Sequence, residues 1–326
     1  SSYDGWRKHS MSSRTIFDGG IVAPLGEGTT LRTLLLASAN RFNVPGPLTQ
    51  AQMDADPAQA NATYLARRER RDNKLARVAM TLDHRIDAAQ RFSAMAFVQP
   101  KYLQRSERNT YRDFNRYHVG GNAVYRRSDS MAGDTKATFS LGTDVAYQDG
   151  TILFYTLSAT QERGTTLTDN KREGTNNFGL FASEDVEIGR HWVLALGARW
   201  DAITYTYSSN ITPSSNSTKG FAGVTPKVGL TYRVSPTHSW FASLGGGVEV
   251  PAGNETDPEA GTPNAVFAIN PLLEPIRSTT VELGTRRIIA TGAADDFITS
   301  LSYDAAAFFT AVSNEIVPYS GGRFYF

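Results

Sequence analysis

Between Arg77 and Phe309 the chain repeatedly alternates apolar and polar residues, and this period of two constrains the fold more than any other feature. The clearest stretch runs from Trp192 to Trp200. Trp192, Leu194, Leu196, Ala198 and Trp200 fall on one face of an extended chain, and Val193, Ala195, Gly197, Arg199 and Asp201 on the other. The first face is apolar with an aromatic at each end. A charge facing lipid near a bilayer midplane costs ~2–4 kcal/mol, so Arg199 belongs to a lumenal face if this strand crosses a membrane.

The pattern recurs in Val78, Met80 and Leu82 against Arg77, Thr81 and Asp83, and in Phe139, Leu141, Val145 and Tyr147 against Ser140, Gly142 and Asp144. It returns in Val228, Leu230 and Tyr232, in Trp240, Ala242 and Leu244, and in Leu301, Tyr303, Ala305, Ala307 and Phe309. A half-buried soluble sheet alternates too, so periodicity alone leaves a membrane barrel and a soluble sandwich both open.

Connection lengths separate the two. Short polar turns are expected near Gly26-Glu27-Gly28, Asp87 to Gln90, Asp129 to Asp134, Gly189-Arg190, Ser235-Pro236-Thr237 and Gly292-Ala293-Ala294. Between them lie long polar connections, Asn43 to Asn73, Thr156 to Gly174, Ser208 to Lys219 and Pro251 to Pro275, with a brief exception near Ser106 to Thr110. Tight turns at one end and long loops at the other are the arrangement of outer-membrane barrels. The strands between them are expected to run ~12–16 residues, against ~5–6 in soluble sheets. The reading is an all-β, transmembrane antiparallel barrel of about twelve or thirteen strands, with short periplasmic turns and long extracellular loops. The thirteenth strand is expected to start at Gly322, and Thr49 to Arg71 is expected to be helical within one loop.

Mean hydropathy is −0.34 over 326 residues, and no apolar run is long enough for a membrane helix. A net charge of +1 argues against nucleic acid as a partner. Cysteine is absent, which removes disulfides and thiolate chemistry. His9, His84, His118, His191 and His238 show no metal-ligand spacing, and neither a nucleophile elbow nor a phosphate loop occurs. Neither an enzyme nor a bound cofactor is expected. The first residues, Ser-Ser-Tyr-Asp-Gly-Trp, lack a leader pattern and read as the middle of a longer chain.

Asn270-Pro271-Leu272-Leu273-Glu274-Pro275, followed by Thr280-Val281-Glu282-Leu283-Gly284, resembles the loop-to-strand motif of TonB-dependent outer-membrane receptors, with Ile276 where that family usually has Glu. Asn177 to Asp185, Leu196 to Asp201, Val224 to Tyr232 and Asn40 to Leu48 resemble the same family in the same order. The resemblance implies that residues 1–326 are an incomplete receptor barrel, without the plug domain and the C-terminal strands of a barrel of about 22 strands. It implies location in the outer membrane of a Gram-negative cell, against lipid and lipopolysaccharide. It further implies uptake of a ferric siderophore or iron-carboxylate complex, energised by TonB acting through the missing plug. Val281 and Leu283 are expected toward lipid, Glu282 and Gly284 toward the lumen. Uptake of cobalamin, haem or a saccharide, a passive porin, and a soluble adhesion or carbohydrate-binding sandwich are the alternatives.

Ligand-binding candidates come from the polar loop ends. Arg67 and Arg68, within the basic group that includes Arg70, Arg71 and Lys74, could focus an anionic iron complex, or could pair with lipopolysaccharide phosphates or with Asp54, Asp56 and Glu69. Tyr205 and Tyr207 could stack on a flat chelator, and Glu249 sits near the mouth of its strand.

Overall fold

The structure is a computed structural model that describes residues 1–252, 266–290 and 299–316. One antiparallel sheet contains β1 (Ser2–Tyr3), β2 (Ser12–Pro24), β3 (Thr29–Asn43), β4 (Arg70–Arg85), β5 (Gln90–Glu107), β6 (Thr110–Met131) and β7 (Thr135–Leu157). It continues through β8 (Arg163–Ile188), β9 (Trp192–Ser209), β10 (Ser217–Ser235), β11 (His238–Glu249), β12 (Ile276–Ala290) and β13 (Ser300–Ser313). Spatial order equals sequence order throughout. Every strand therefore pairs with its chain neighbours, and among the described residues β1 and β13 are open edges.

The expected twelve long strands are β2 to β13. The thirteenth is the two-residue β1 at the other edge, whereas Gly322 lies outside the described residues, as does the turn expected at Gly292-Ala293-Ala294. Several strands outrun the expected length, with 23 residues in β7 and 26 in β8. The connection expected from Thr156 to Gly174 shrinks to residues 158–162. Thr165, Thr166 and Thr168 are β-branched strand formers that need no apolar face where the hairpin extends past a lipid band. The brief β5–β6 hairpin turns on Arg108 and Asn109, both left-handed at φ 51° and 63°, the geometry of a two-residue type I′ turn.

The helical expectation for Thr49 to Arg71 is half met. Two short helices form, α1 (Gln50–Ala55), closed by a capping box between Thr49 and Gln52, and α2 (Ala62–Ala66), capped by Asn61. Pro57 has no N–H to donate and separates them. Arg70, Arg71 and Lys74 belong to β4 instead.

Cross-strand partners share a face, so register assigns every side chain to one of two surfaces. Val78, Val98, Val119 and Tyr147 line up on the outer face through direct pairing, Val145 shares that face two residues from Tyr147, and the four valines are exposed. Trp192 and Tyr232 pack 4.6 Å apart near the short turns, with Trp240 paired to Tyr232. Phe178 and Trp200 pack 5.8 Å apart nearer the loops. The eight steps from Trp192 to Trp200 span ~26 Å at ~3.3 Å per residue, close to the ~25 Å apolar band of a membrane barrel. Val281 and Leu283 are exposed on this face at 52% and 57%, and Gly284 is buried on the other, as expected. Glu184 breaks the pattern by taking the outer face opposite Phe139 and Leu196. Among the described residues no helix is long and apolar enough to cross a membrane, which says nothing about crossing by strands.

Candidate functional site

The inner face concentrates cations where the strands rise past the aromatic belt toward the loops. Arg71 on β4, Arg105 on β5 and Arg112 on β6 are direct cross-strand partners. Like charges placed opposite each other destabilise a sheet. Glu107 answers all three, lying 3.4 Å from Arg71, 3.7 Å from Arg105 and 3.0 Å from Arg112. Next along the face, Glu173 takes Arg116 at 2.5 Å and Lys171 at 3.2 Å.

Aromatic rings hold these cations from beneath. The Arg105 guanidinium sits 5.1 Å from the Phe114 ring centre, Arg112 lies 4.5 Å from Phe154, and Lys171 lies 5.3 Å from Tyr207. Lys219 is 5.7 Å from Phe221 on β10. The result is a stripe across β4 to β10 in which Arg71, Lys101, Arg105, Arg112, Arg116, Lys171 and Lys219 outnumber the inner-face carboxylates Glu107, Asp169 and Glu173.

The stripe also keeps unmet hydrogen-bonding capacity. The Nε atoms of Arg71, Arg105 and Arg116 and the Oδ1 of Asn73 are buried without a hydrogen-bond partner. An unpaired buried donor costs ~1–3 kcal/mol, so such groups gather at sites that receive a ligand or ordered water. Burial lowers the proton affinity of the Arg105 guanidinium; Glu107 opposes this, and the neighbouring charges of Arg71 and Arg112 add to it. Burial likewise raises the Tyr207 phenol, against Lys171 and with Asp169 and Glu173.

The five residues singled out from sequence divide. Tyr207 lies in the stripe. Tyr205 shares its face, but its hydroxyl donates to the Pro251 carbonyl at 2.9 Å and its ring meets Phe221 edge-on at 5.9 Å. Arg67 ends α2, pairs with Glu69 at 3.8 Å, and accepts the Ser106 hydroxyl on its carbonyl at 3.3 Å. Arg68 is left-handed at φ 48° in the same connection. Both stand outside the stripe, although a cavity of about 330 Å³ beside them shares Arg71 and Glu107 with it. Of the acidic partners considered for this group, Glu69 takes Arg67, while Asp56 takes Lys8 at 3.7 Å. Glu249 is exposed at the end of β11, opposite Ile276.

The segment around Asn270 fixes one rim of the stripe. Asn270 is buried, its Oδ1 accepts the Leu272 N–H at 3.0 Å, and Lys219 Nζ donates to the Pro271 carbonyl at 2.6 Å. Asn314 at the end of β13 donates to Glu274 at 3.2 Å. Among the described residues no three of His, Asp or Glu gather as a metal-holding group.

Arg105, Arg112, Phe114, Arg116, Phe154 and Lys171 escaped the sequence reading. A signal was present, because Arg112, Phe114 and Arg116 repeat with period two and so must share a face of β6.

A family model for the TonB dependent receptor-like β-barrel matches residues 21–326. Comparison with curated proteins finds no match. Among solved structures, the unliganded ferric citrate transporter FecA aligns with a TM-score of 0.72 at 17% identity, covering 94% of this chain and 48% of that one. The ferric-catecholate import receptor Fiu of E. coli K12 aligns at 0.65 and 14% identity, covering 97% and 53%. The copper transporter OprC aligns at 0.72 and 12% identity, covering 97% and 48%. The chain thus spans about half the length of these structures. The matched family is one of receptors and not of enzymes. With a family model over nearly its whole length and the strand order and two-faced register that such a model describes, the chain belongs to the TonB-dependent receptor-like β-barrel family.

Proposed function

We propose that this chain is wall and entry site of an outer-membrane receptor that takes up an anionic iron complex, a ferric siderophore or iron-carboxylate chelate, with energy relayed through TonB. The observation that carries the reading is the inner-face stripe, with surplus cations, aromatic platforms and unmet buried donors together at the loop end. Guanidinium groups match carboxylate oxygens bidentately, and rings beneath them suit flat chelating groups. The similarity to structures named for ferric citrate and ferric catecholate supports the class of cargo. The open edges at β1 and β13 support a larger closed wall, because each unpaired backbone group left in lipid costs several kcal/mol. Membrane lipid and lipopolysaccharide would meet the outer face, where Lys74 is exposed at the loop-ward end of β4.

The test is uptake of radiolabelled ferric citrate and ferric catecholates by a deletion strain carrying the full-length gene. Uptake of at least one chelate that requires TonB, and that falls about tenfold in affinity in Arg105→Gln/Arg112→Gln, supports the reading. Uptake that is equal with and without TonB and indifferent to chelate identity marks a passive pore and overturns it.

A further inference from the structure

The register that sets three arginines side by side at the loop end does so again at the turn end, without the carboxylate. Arg85 on β4 pairs directly with Arg91 on β5, and Arg91 with Arg126 on β6, all on the inner face. Near the loops Glu107 bridges the equivalent trio. Near the turns, among the described residues, Arg85, Arg91 and Arg126 have no acidic partner, and Arg126 only donates to the Ser140 hydroxyl at 3.3 Å. Asp83 stands close but is held by Arg32. These residues line a cavity of about 450 Å³. Direct cross-strand like charges are destabilising, so the trio is incomplete without a counter-anion.

The two trios share one wall. Between them Arg77 donates to Gln99 at 2.6 Å and lies 5.7 Å from the Phe97 ring, on the same inner face. From loop end to turn end, β4, β5 and β6 present Arg71, Arg77, Arg85, Arg91, Lys101, Arg105, Arg112, Arg116 and Arg126 inward, against Asp83 and Glu107. On β7 to β12 the inward charges come close to balance: Lys136, Lys171, Arg199, Lys219, Lys227, Arg233 and Arg286 face Asp144, Asp169, Glu173, Asp185, Glu187, Asp201, Glu249 and Glu282. Among the described residues of β4 to β12, the inward positive surplus lies on β4, β5 and β6.

We propose that Arg85, Arg91 and Arg126 form a second anion-binding site, at the periplasmic end of the wall, for a small anion bearing two or more carboxylate or phosphate groups. Three planar guanidinium forks line one space whose single carboxylate, Asp83, is taken by Arg32, and that surplus suits a multi-oxygen anion better than a monovalent one. Its role as an exit station for cargo rests on the reading of the loop-end stripe as the entry; its existence as a site does not. An anion leaving the stripe would then follow β4 to β6 toward the cell interior.

The experiment is calorimetric titration of the purified full-length receptor with citrate and with pyrophosphate, alongside thermal unfolding. Two binding events are expected. The triple variant Arg85→Gln/Arg91→Gln/Arg126→Gln loses one and keeps the other, and Arg105→Gln/Arg112→Gln does the reverse. The corresponding triple lysine variant, which keeps charge but loses the fork, is expected to bind about tenfold more weakly at this site alone. A single event lost only in the turn-end triple leaves this site standing and sinks the stripe. Unchanged stoichiometry in the triple variants overturns the proposal. So does a fall of several degrees in the triple glutamine variant with no anion added, because the arginines are then neutralised by carboxylates elsewhere in the receptor.

Discussion

Arg199 on β9 grips Asp144 on β7, two strands away, through Nη1–Oδ1 at 2.7 Å and Nη2–Oδ2 at 3.0 Å. The strand between them is β8, and at the crossing point it carries Gly179, flanked in register by Asp144 and Asp201. A Cβ there would lie 2.1 Å from Arg199 Nη2. Arg199 also binds Asp201 at 2.6 Å, so one cation joins two carboxylates over a glycine saddle.

The saddle makes Gly179→Ala a sharp test. The methyl group must push the guanidinium aside, and a loss of ~1–3 kcal/mol is expected for breaking such a network. The heat-modifiability midpoint on a detergent gel should drop by several degrees. A midpoint equal to that of wild type would show that Arg199 moves without cost.

Glu69 predicts a pH dependence in the β3–β4 connection. It is 3% exposed. Burial raises its pKa above the ordinary 4.5, only partly offset by the Arg108 N–H and by Arg67. A raised folded-state pKa means that the native form holds a proton that the unfolded form has released. The stability it contributes is therefore full below about pH 4.5 and is lost as pH rises through the folded value. Limited proteolysis of this connection should accelerate from pH 4 to pH 7 in wild type and change less in Glu69→Gln. Equal slopes would remove Glu69 as the cause.

The outer face should tolerate charge poorly. Leu196→Arg on that face is expected to cost ~2–4 kcal/mol, while Ala195→Arg on the inner face costs much less. Glu184→Leu should raise stability, since Glu184 already points the wrong way between Phe139 and Leu196. Urea unfolding of the receptor in lipid vesicles measures all three. Equal costs for Leu196→Arg and Ala195→Arg would mean that the faces are misassigned.

Tyr205 and Tyr207 should separate by function. Tyr205→Phe removes the hydroxyl bond to Pro251 and is expected to cost ~0.5–1.5 kcal/mol of stability with chelate affinity unchanged. Tyr207→Ala removes the platform under Lys171 and is expected to weaken chelate binding by ~0.5–2 kcal/mol. Binding of labelled ferric citrate to whole cells, with thermal melts in parallel, distinguishes the two.

These two tyrosines also show where sequence reading reached its limit. Both were legible as loop-end aromatics on one face, because residues two apart in a strand must share a face. Which one meets a cation and which one ties down Pro251 depends on Lys171, 36 residues before Tyr207, and on a loop 46 residues beyond Tyr205. The helical expectation over Thr49 to Arg71 was interrupted by Pro57, and the long polar connection after Thr156 proved to be mostly strand. In both places polarity was the guide, and polarity does not separate an exposed strand from a loop.

By itself the sequence determined the strands, their two faces and the alternation of turns and loops, since a period of two and turn chemistry act over a few residues. The trios Arg71, Arg105, Arg112 and Arg85, Arg91, Arg126 were decided only by the tertiary structure. Their members stand 34 and 7, and 6 and 35, residues apart in the chain, and only the hydrogen-bond register between β4, β5 and β6 brings them side by side. Register is a property of pairs of strands, and a shift of one residue would have turned the same arginines toward lipid.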